Sequence, residues 1–136
     1  MRRTNPARLV VQRHMDAFLA GDATALVSDY ALHPIFISSR AGVVTDRAEL
    51  QARFEKLFRE VFPPGKTQTT FKPMIIQRDV VLLEWESIGP EVQSVASSDV
   101  FIITHSTISV HVACGQYVRR MQGGDAAVSP DCQRAR

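Results

Sequence analysis

The spacing of apolar residues changes once along this chain, and the change limits the fold more than any motif does. From Asn5 to Tyr30 and from Asp46 to Val61 the hydrophobic residues recur every three or four positions, as along one side of a helix, with only two short extended pieces between. From Thr67 to Val118 they fall in extended stretches rich in Val, Ile, Phe and Thr. Pro63-Pro64-Gly65 separates the two regimes and can continue neither. Helices followed by a run of long strands is an α+β order, and 136 residues suit one core. The strands are expected to form a curved antiparallel sheet, wrapped cone-like around the N-terminal helices. Its concave side then either fills with core or encloses a pocket.

The helices can be placed from their ends. Asn5 can accept the free amides of a first turn, and Pro6 lacks the hydrogen that would go unpaired there. Val10, Val11, Met15, Phe18 and Leu19 then form one stripe, with Gln12, Arg13, Asp16 and Ala20 opposite. His14 lies inside the stripe, between Val10 and Phe18. Gly21 is a stop and Asp22 a cap for a short second helix, with Leu26, Val27 and Tyr30 as its apolar face. After a turn at His33-Pro34, Ile35 to Ile37 reads as a short strand and Gly42-Val43-Val44 as another. Asp46 and Glu49 have the spacing of a capping box, ahead of a helix carrying Leu50, Phe54, Leu57, Phe58 and Val61.

The strands follow. Thr67 to Gln77 is extended, with Pro73 at an edge or a bulge. Arg78-Asp79 turns the chain into a strand over Val80 to Ser87, and Gly89-Pro90 breaks it. Ala96 to Thr104 and Thr107 to Val118 are the last two. Residues 1–118 read as one domain and 119–136, with Gly123-Gly124 and Pro130, as a mobile tail.

Composition removes several classes of function. The net charge is +2 and the cations are scattered, so there is no basic face for nucleic acid. No apolar run approaches the ~20 residues that span a bilayer. No apolar signal region follows Arg2-Arg3, and Cys114 and Cys132 suit a reducing compartment, so a cytoplasmic location is expected, with one disulfide left open. There is no nucleophile elbow, phosphate loop or dinucleotide fingerprint, and the four histidines have no metal spacing with the cysteines. No cofactor and no metal are expected.

Among the polar residues Asp99 stands out. It alternates with Phe101 and Ile103, so it shares a face with two large apolar side chains. A carboxyl group there is either a protonated donor or a poised base, unless backbone amides or an arginine satisfy it. His14 is an acid-base candidate or a core histidine with a backbone partner. His111 depends on the last hairpin: a three-residue turn at Thr104-His105-Ser106 sets it across from Asp99, whereas a two-residue turn at His105-Ser106 sets Val112 there. Trp85, between Glu84 and Glu86, floors a pocket, joins an interface or packs in the core. Tyr30 aims its hydroxyl inward or anchors the short helix. Phe54 and Phe58 line the hollow or fill it.

Three pieces of this pattern resemble the nuclear transport factor two-like superfamily, in particular its SnoaL-like polyketide cyclase and ketosteroid isomerase branches. They are the double helix from Phe18-Leu19-Ala20-Gly21-Asp22 to Tyr30, the capped helix from Asp46 to Val61, and Ser98-Asp99-Val100-Phe101 with the strand after it. The resemblance implies a cone-shaped α+β fold, a deep apolar pocket and a homodimer through the outer face of the sheet. It places His14 where the isomerases carry a pocket tyrosine and Asp99 where they carry a protonated aspartic acid. Ser38 falls at the position of their aspartate base, and a serine cannot serve as that base. The cyclases are similar in using an aspartate at the position of Asp99 with a histidine elsewhere in the pocket. The implied function is a small-molecule pocket protein. As an enzyme it would be a cofactor-independent cyclase, isomerase or dehydratase acting on an apolar carbonyl or hydroxyl compound. Asp99 and His14 would be catalytic, and His111, Trp85, Tyr30, Ser38, Phe54, Phe58 and Phe101 would contact substrate. The alternative is a non-catalytic binding or dimerisation module of the same fold.

Overall fold

Asn5 and Pro6 open the first helix as their chemistry requires. The Asn5 side chain accepts from the Ala7 amide, and helix α1 runs Pro6–Ala20. A computed structural model describes residues 4–120 and the backbone of 126–128. Gly21 ends α1 at φ 65, a left-handed conformation that any Cβ strains and that here would also drive one into Pro64. Asp22 caps α2 (Ala23–Ser28) by accepting from Ala25, and Asp46 caps α3 (Arg47–Glu60) by accepting from Ala48. Glu49 does not reach back to complete a capping box; it turns forward to Arg53, 3.4 Å away.

The strands are β1 (Tyr30–Ser38), β2 (Gly42–Val44), β3 (Gln68–Phe71), β4 (Ile75–Gln77), β5 (Val80–Ile88), β6 (Val92–Thr104), β7 (Thr107–Arg120) and β8 (Ala126–Val128). They pair in the order β2-β1-β7-β6-β5-β3, with β4 also on β5 and β8 also on β7. The sheet is mixed rather than purely antiparallel, because β1 runs parallel to β7. β1 pairs antiparallel with β2, its neighbour in sequence, and has the last long strand on its other side. Tyr30 begins β1 instead of closing α2, and Pro34 sits within β1, where the register with β7 slips between Tyr30 and Ile35. A proline fits there because the slipped segment asks for no donor from it. The pairing of β8 with β7 carries the sheet past residue 118; the rest of the tail, with Cys132, lies outside the described residues.

The core lies between the helices and one face of the sheet. Val10, Val11, His14 and Ala17 of α1 are buried, while Leu19 is 52% exposed, one step outside the stripe that the sequence assigns it to. Leu50, Phe54 and Phe58 turn inward from α3. The sheet answers with Val81, Leu83, Phe101, Ile103 and Ile108.

Candidate active site

Two irregularities in the long β6–β7 hairpin decide which polar groups reach the concave face. At its tip His105 and Ser106 both have positive φ, 50 and 59, and Thr104 pairs with Thr107. That is the two-residue turn favoured by strand twist. Left regular, it would face Val112 to Asp99. Instead β7 takes in one extra residue, Ser109, which hydrogen-bonds the Ile102 carbonyl at 3.0 Å and the Thr104 hydroxyl at 2.9 Å. Past this bulge His111 pairs with Phe101 and Ala113 pairs with Asp99. His111 therefore faces inward, diagonal to Asp99 rather than directly across from it.

The second bulge, between Val95 and Ser98, puts the extra residue on β6, with Ala96 at φ 51. It shifts the phase of the strand, so that Ser94 as well as Ser97 faces inward and their hydroxyls meet. Gly115 opposite is required by this approach, since a Cβ there would run into the Ser97 side chain.

Between α1, α3 and the concave face lies a cavity of about 300 Å³. Of the residues proposed from sequence, Asp99, His14, His111, Trp85, Ser38 and Phe54 are on its wall. Tyr30, Phe58 and Phe101 are not. Each of these three stands one layer behind and supports a wall residue. The Tyr30 hydroxyl lies 2.6 Å from His111 Nδ1, Phe101 stacks on the His111 ring at 4.2 Å, and Phe58 packs on Phe54 at 6.2 Å. Ser38 uses its oxygen to accept from the Ala41 amide at 2.8 Å, so it ties the β1–β2 turn.

Asp99 is 7% exposed and has a nitrogen-bearing ring beside each oxygen. The Trp85 indole donates to Oδ2 at 2.9 Å. His111 Nε2 approaches Oδ1 at 3.4 Å, inside ion-pair range but without hydrogen-bond geometry. The Tyr30 hydroxyl is the partner of Nδ1. Burial first, and the charge of Asp99 second, hold its pKa well above the usual tyrosine value, so it stays a phenol, which can donate to Nδ1 or accept from it. With the phenol as donor, Nε2 carries the ring proton on the side of Asp99. The indole occupies one oxygen and His111 lies near the other, and a carboxyl group so placed on the cavity wall can take a proton from a ligand or give one.

His14 completes the cluster. It is 4% exposed, its Nδ1 is buried and makes no hydrogen bond, and it has no backbone partner. Phe101 stands 5.0 Å from its ring and His111 5.6 Å. Burial, and then the neighbouring His111, push its pKa well below the ordinary histidine value, so the ring is neutral at pH 7. A neutral imidazole can both give and accept a hydrogen bond.

Sequence reasoning did not single out Ser97 or the residues at the mouth, Arg40, Arg53, Lys56 and Tyr117. Ser97 had a signal, since it continues the alternation of Asp99, Phe101 and Ile103. The mouth residues had none, because exposed cations on a helix and a turn look alike everywhere. Among the described residues no group of three His, Cys, Asp or Glu could hold a metal, and no helix is long and apolar enough to cross a membrane.

Three helices against a curved mixed sheet, with a pocket at the concave face, define the nuclear transport factor two-like, or cystatin-like, fold. No family model and no curated protein matches the chain by sequence. Solved structures match it by shape. A SnoaL-like protein of unknown function from Burkholderia thailandensis aligns with TM-score 0.68 at 15% identity, over 85% of this chain and 98% of its own. A ketosteroid isomerase assigned as such in Kribbella flavida aligns with TM-score 0.66 at 14% identity, over 82% and 78%. An epoxide hydrolase of M. tuberculosis, related to the LEH type, aligns with TM-score 0.65 at 11% identity, over 82% and 84%. At these identities the likeness establishes the fold alone.

Proposed function

We propose that this protein is a cofactor-independent acid-base enzyme acting on a small, largely apolar carbonyl or hydroxyl compound. The observation that carries the proposal is the Asp99 carboxylate, held between Trp85 and His111 on the wall of a cavity lined largely by apolar side chains. Asp99 takes a proton from carbon or hydroxyl. His14, neutral and with a buried nitrogen unpartnered, donates a hydrogen bond to the substrate oxygen as it gains charge. Return of the proton at a second position completes an isomerisation or cyclisation, and its delivery to a departing hydroxyl completes a dehydration. The carboxylate at Asp99 and the serine at Ser38 favour the cyclase-like branch of the resemblance over the isomerase-like one.

The experiment needs no known substrate. A panel of enolisable ketones and β-hydroxy carbonyl compounds is incubated with the protein in D2O, and deuterium uptake is followed by mass spectrometry. The expected result is uptake accelerated above buffer for some members and reduced about a hundredfold or more by Asp99→Asn. No acceleration across the panel would favour the binding module instead.

A homodimer is part of the proposal. Counting across the face turned away from the helices, Val43, Ile37, Val112, Val100, Leu82 and Ile75 form one row of paired positions over six strands. Ile35, Val110, Ile102 and Val80 form the next. A face this apolar needs cover, and a second copy supplies a matching one.

A further inference from the structure

The mouth of the cavity differs in chemistry from its interior. Arg40, in the β1–β2 turn, and Arg53 and Lys56, on the cavity edge of α3, stand around it with one acid, Glu60. Glu60 lies 3.9 Å from Arg59 and Arg53 lies 3.4 Å from Glu49. Arg40 and Lys56 have no carboxylate within ion-pair distance among the described residues. Arg40 is nonetheless held, with its guanidinium 4.0 Å above the Tyr117 ring. Stacking occupies the flat face of a guanidinium and leaves its N–H edge free to meet an anion. Among the described residues the acid on the interior wall is Asp99, at the level of Ala113 on β7. Tyr117 is four residues further along that strand, roughly 13 Å at ordinary strand rise.

From this separation of charge we infer that the substrate class is an amphiphilic carboxylate, with an apolar body in the cavity and its anionic end at Arg40 and Lys56. The inference rests on the acid-base reading of the same site and adds to it the orientation of the ligand. Asp99 repels a carboxylate and the mouth attracts it, so the molecule enters body first, with its reacting carbonyl or hydroxyl some 13 Å from the anionic end by the same strand rise. Arg40 and Lys56 are specificity residues in this account and take no part in the chemistry.

Calorimetry with decanoate and decanamide, below the concentration at which either aggregates, tests this at low and at physiological salt. The two probes share a body and differ in charge. Decanoate is expected to bind about fivefold or more tighter than decanamide at low salt, with the difference shrinking as salt rises. The double variant Arg40→Gln, Lys56→Gln changes only exposed side chains and is expected to bind both probes alike. Equal binding of the two by the unaltered protein, or a preference that survives in the double variant, overturns the anionic class and leaves the acid-base reading standing. Binding of neither probe overturns the inference together with the pocket it rests on. The deuterium-uptake experiment reads Asp99 independently of either result.

Discussion

The two faces of this sheet are made by the same strands and could hardly differ more. Along β6 the inward residues are Ser97, Asp99, Phe101 and Ile103, and all four are buried. Their alternates Val100 and Ile102 belong to rows that are aliphatic almost throughout and partly open to solvent. The convex face thus carries ordinary hydrophobic residues in water, and the concave face carries a carboxylate, an imidazole and an indole largely out of it, with the His14 imidazole of α1 on the same cavity wall. Burying polar groups costs free energy unless they are paired, and here two nitrogens, His14 Nδ1 and His111 Nε2, make no hydrogen bond. A chain selected for stability alone would exchange the two sets. The arrangement makes sense if each face meets something: a polar ligand inside, and a second sheet outside.

The sharpest way to break that contrast is at Asp99. Asn keeps its size and its contact with Trp85 and removes the base, so Asp99→Asn is expected to lower turnover by about 100-fold to 10,000-fold, with the melting temperature nearly unchanged. An enzyme that loses stability but not rate would make Asp99 a structural residue. Next is the layer behind the wall. Phe101 is fully buried against His111 and His14, and Phe101→Ala is expected to cost about 3 to 5 kcal/mol in chemical denaturation. Outside, Val112 stands at the centre of the longer aliphatic row. Val112→Lys is expected to convert a dimer to a monomer by light scattering while leaving the concave face intact. A protein already monomeric at micromolar concentration would remove the reason offered for the convex rows.

How far the two faces could be read from sequence follows from what sets them. All three helices, their caps and the stop at Gly21 depend on local residues, and those are legible. So was the inward direction of Asp99, because Asp99, Phe101 and Ile103 alternate without interruption. The direction of His111 was not. It turns on Ser109, one inserted residue between Thr107 and Val110, and a bulge leaves no mark on a run of β-formers. The inward direction of Ser94 was hidden for the same reason, behind the bulge at Ala96. The parallel pairing of β1 with β7 is a contact between residues some seventy positions apart, and nothing local in Ile35 to Ile37 announces it. Tyr30 was assigned to the helix because it follows Leu26 and Val27 at helical spacing, although Asp29 had already ended α2.

The pH dependence of stability sharpens the contrast by a smaller amount. His14 has a folded pKa well below its unfolded value, because burial and His111 disfavour the charged ring. As pH falls below about 6.5, the unfolded chain takes up a proton that the folded protein refuses. Stability is therefore lost on acidification, by up to about 1.4 kcal/mol per pH unit from this group, until the folded pKa is passed. In urea titrations between pH 7 and pH 5, His14→Phe is expected to flatten that slope. An unchanged slope would mean that the imidazole is not the group resisting protonation.

The smallest expected effect isolates the tautomer of His111. Tyr30→Phe removes one buried oxygen and leaves the ring that packs beneath the wall. His111 Nδ1 then loses its donor in a dry site, which costs about 1 to 2 kcal/mol. The proton is also free to move to Nδ1, which would turn the lone pair of Nε2 toward the Asp99 carboxylate. The carboxylate would then keep only the Trp85 donor, and catalysis would weaken although the substituted residue is not on the cavity wall. Nitrogen NMR of labelled histidine reads the tautomer directly: Nε2–H in the unaltered protein and a mixture in the variant. A protonated Nδ1 in the unaltered protein would show that the Tyr30 hydroxyl accepts from His111 rather than donating to it.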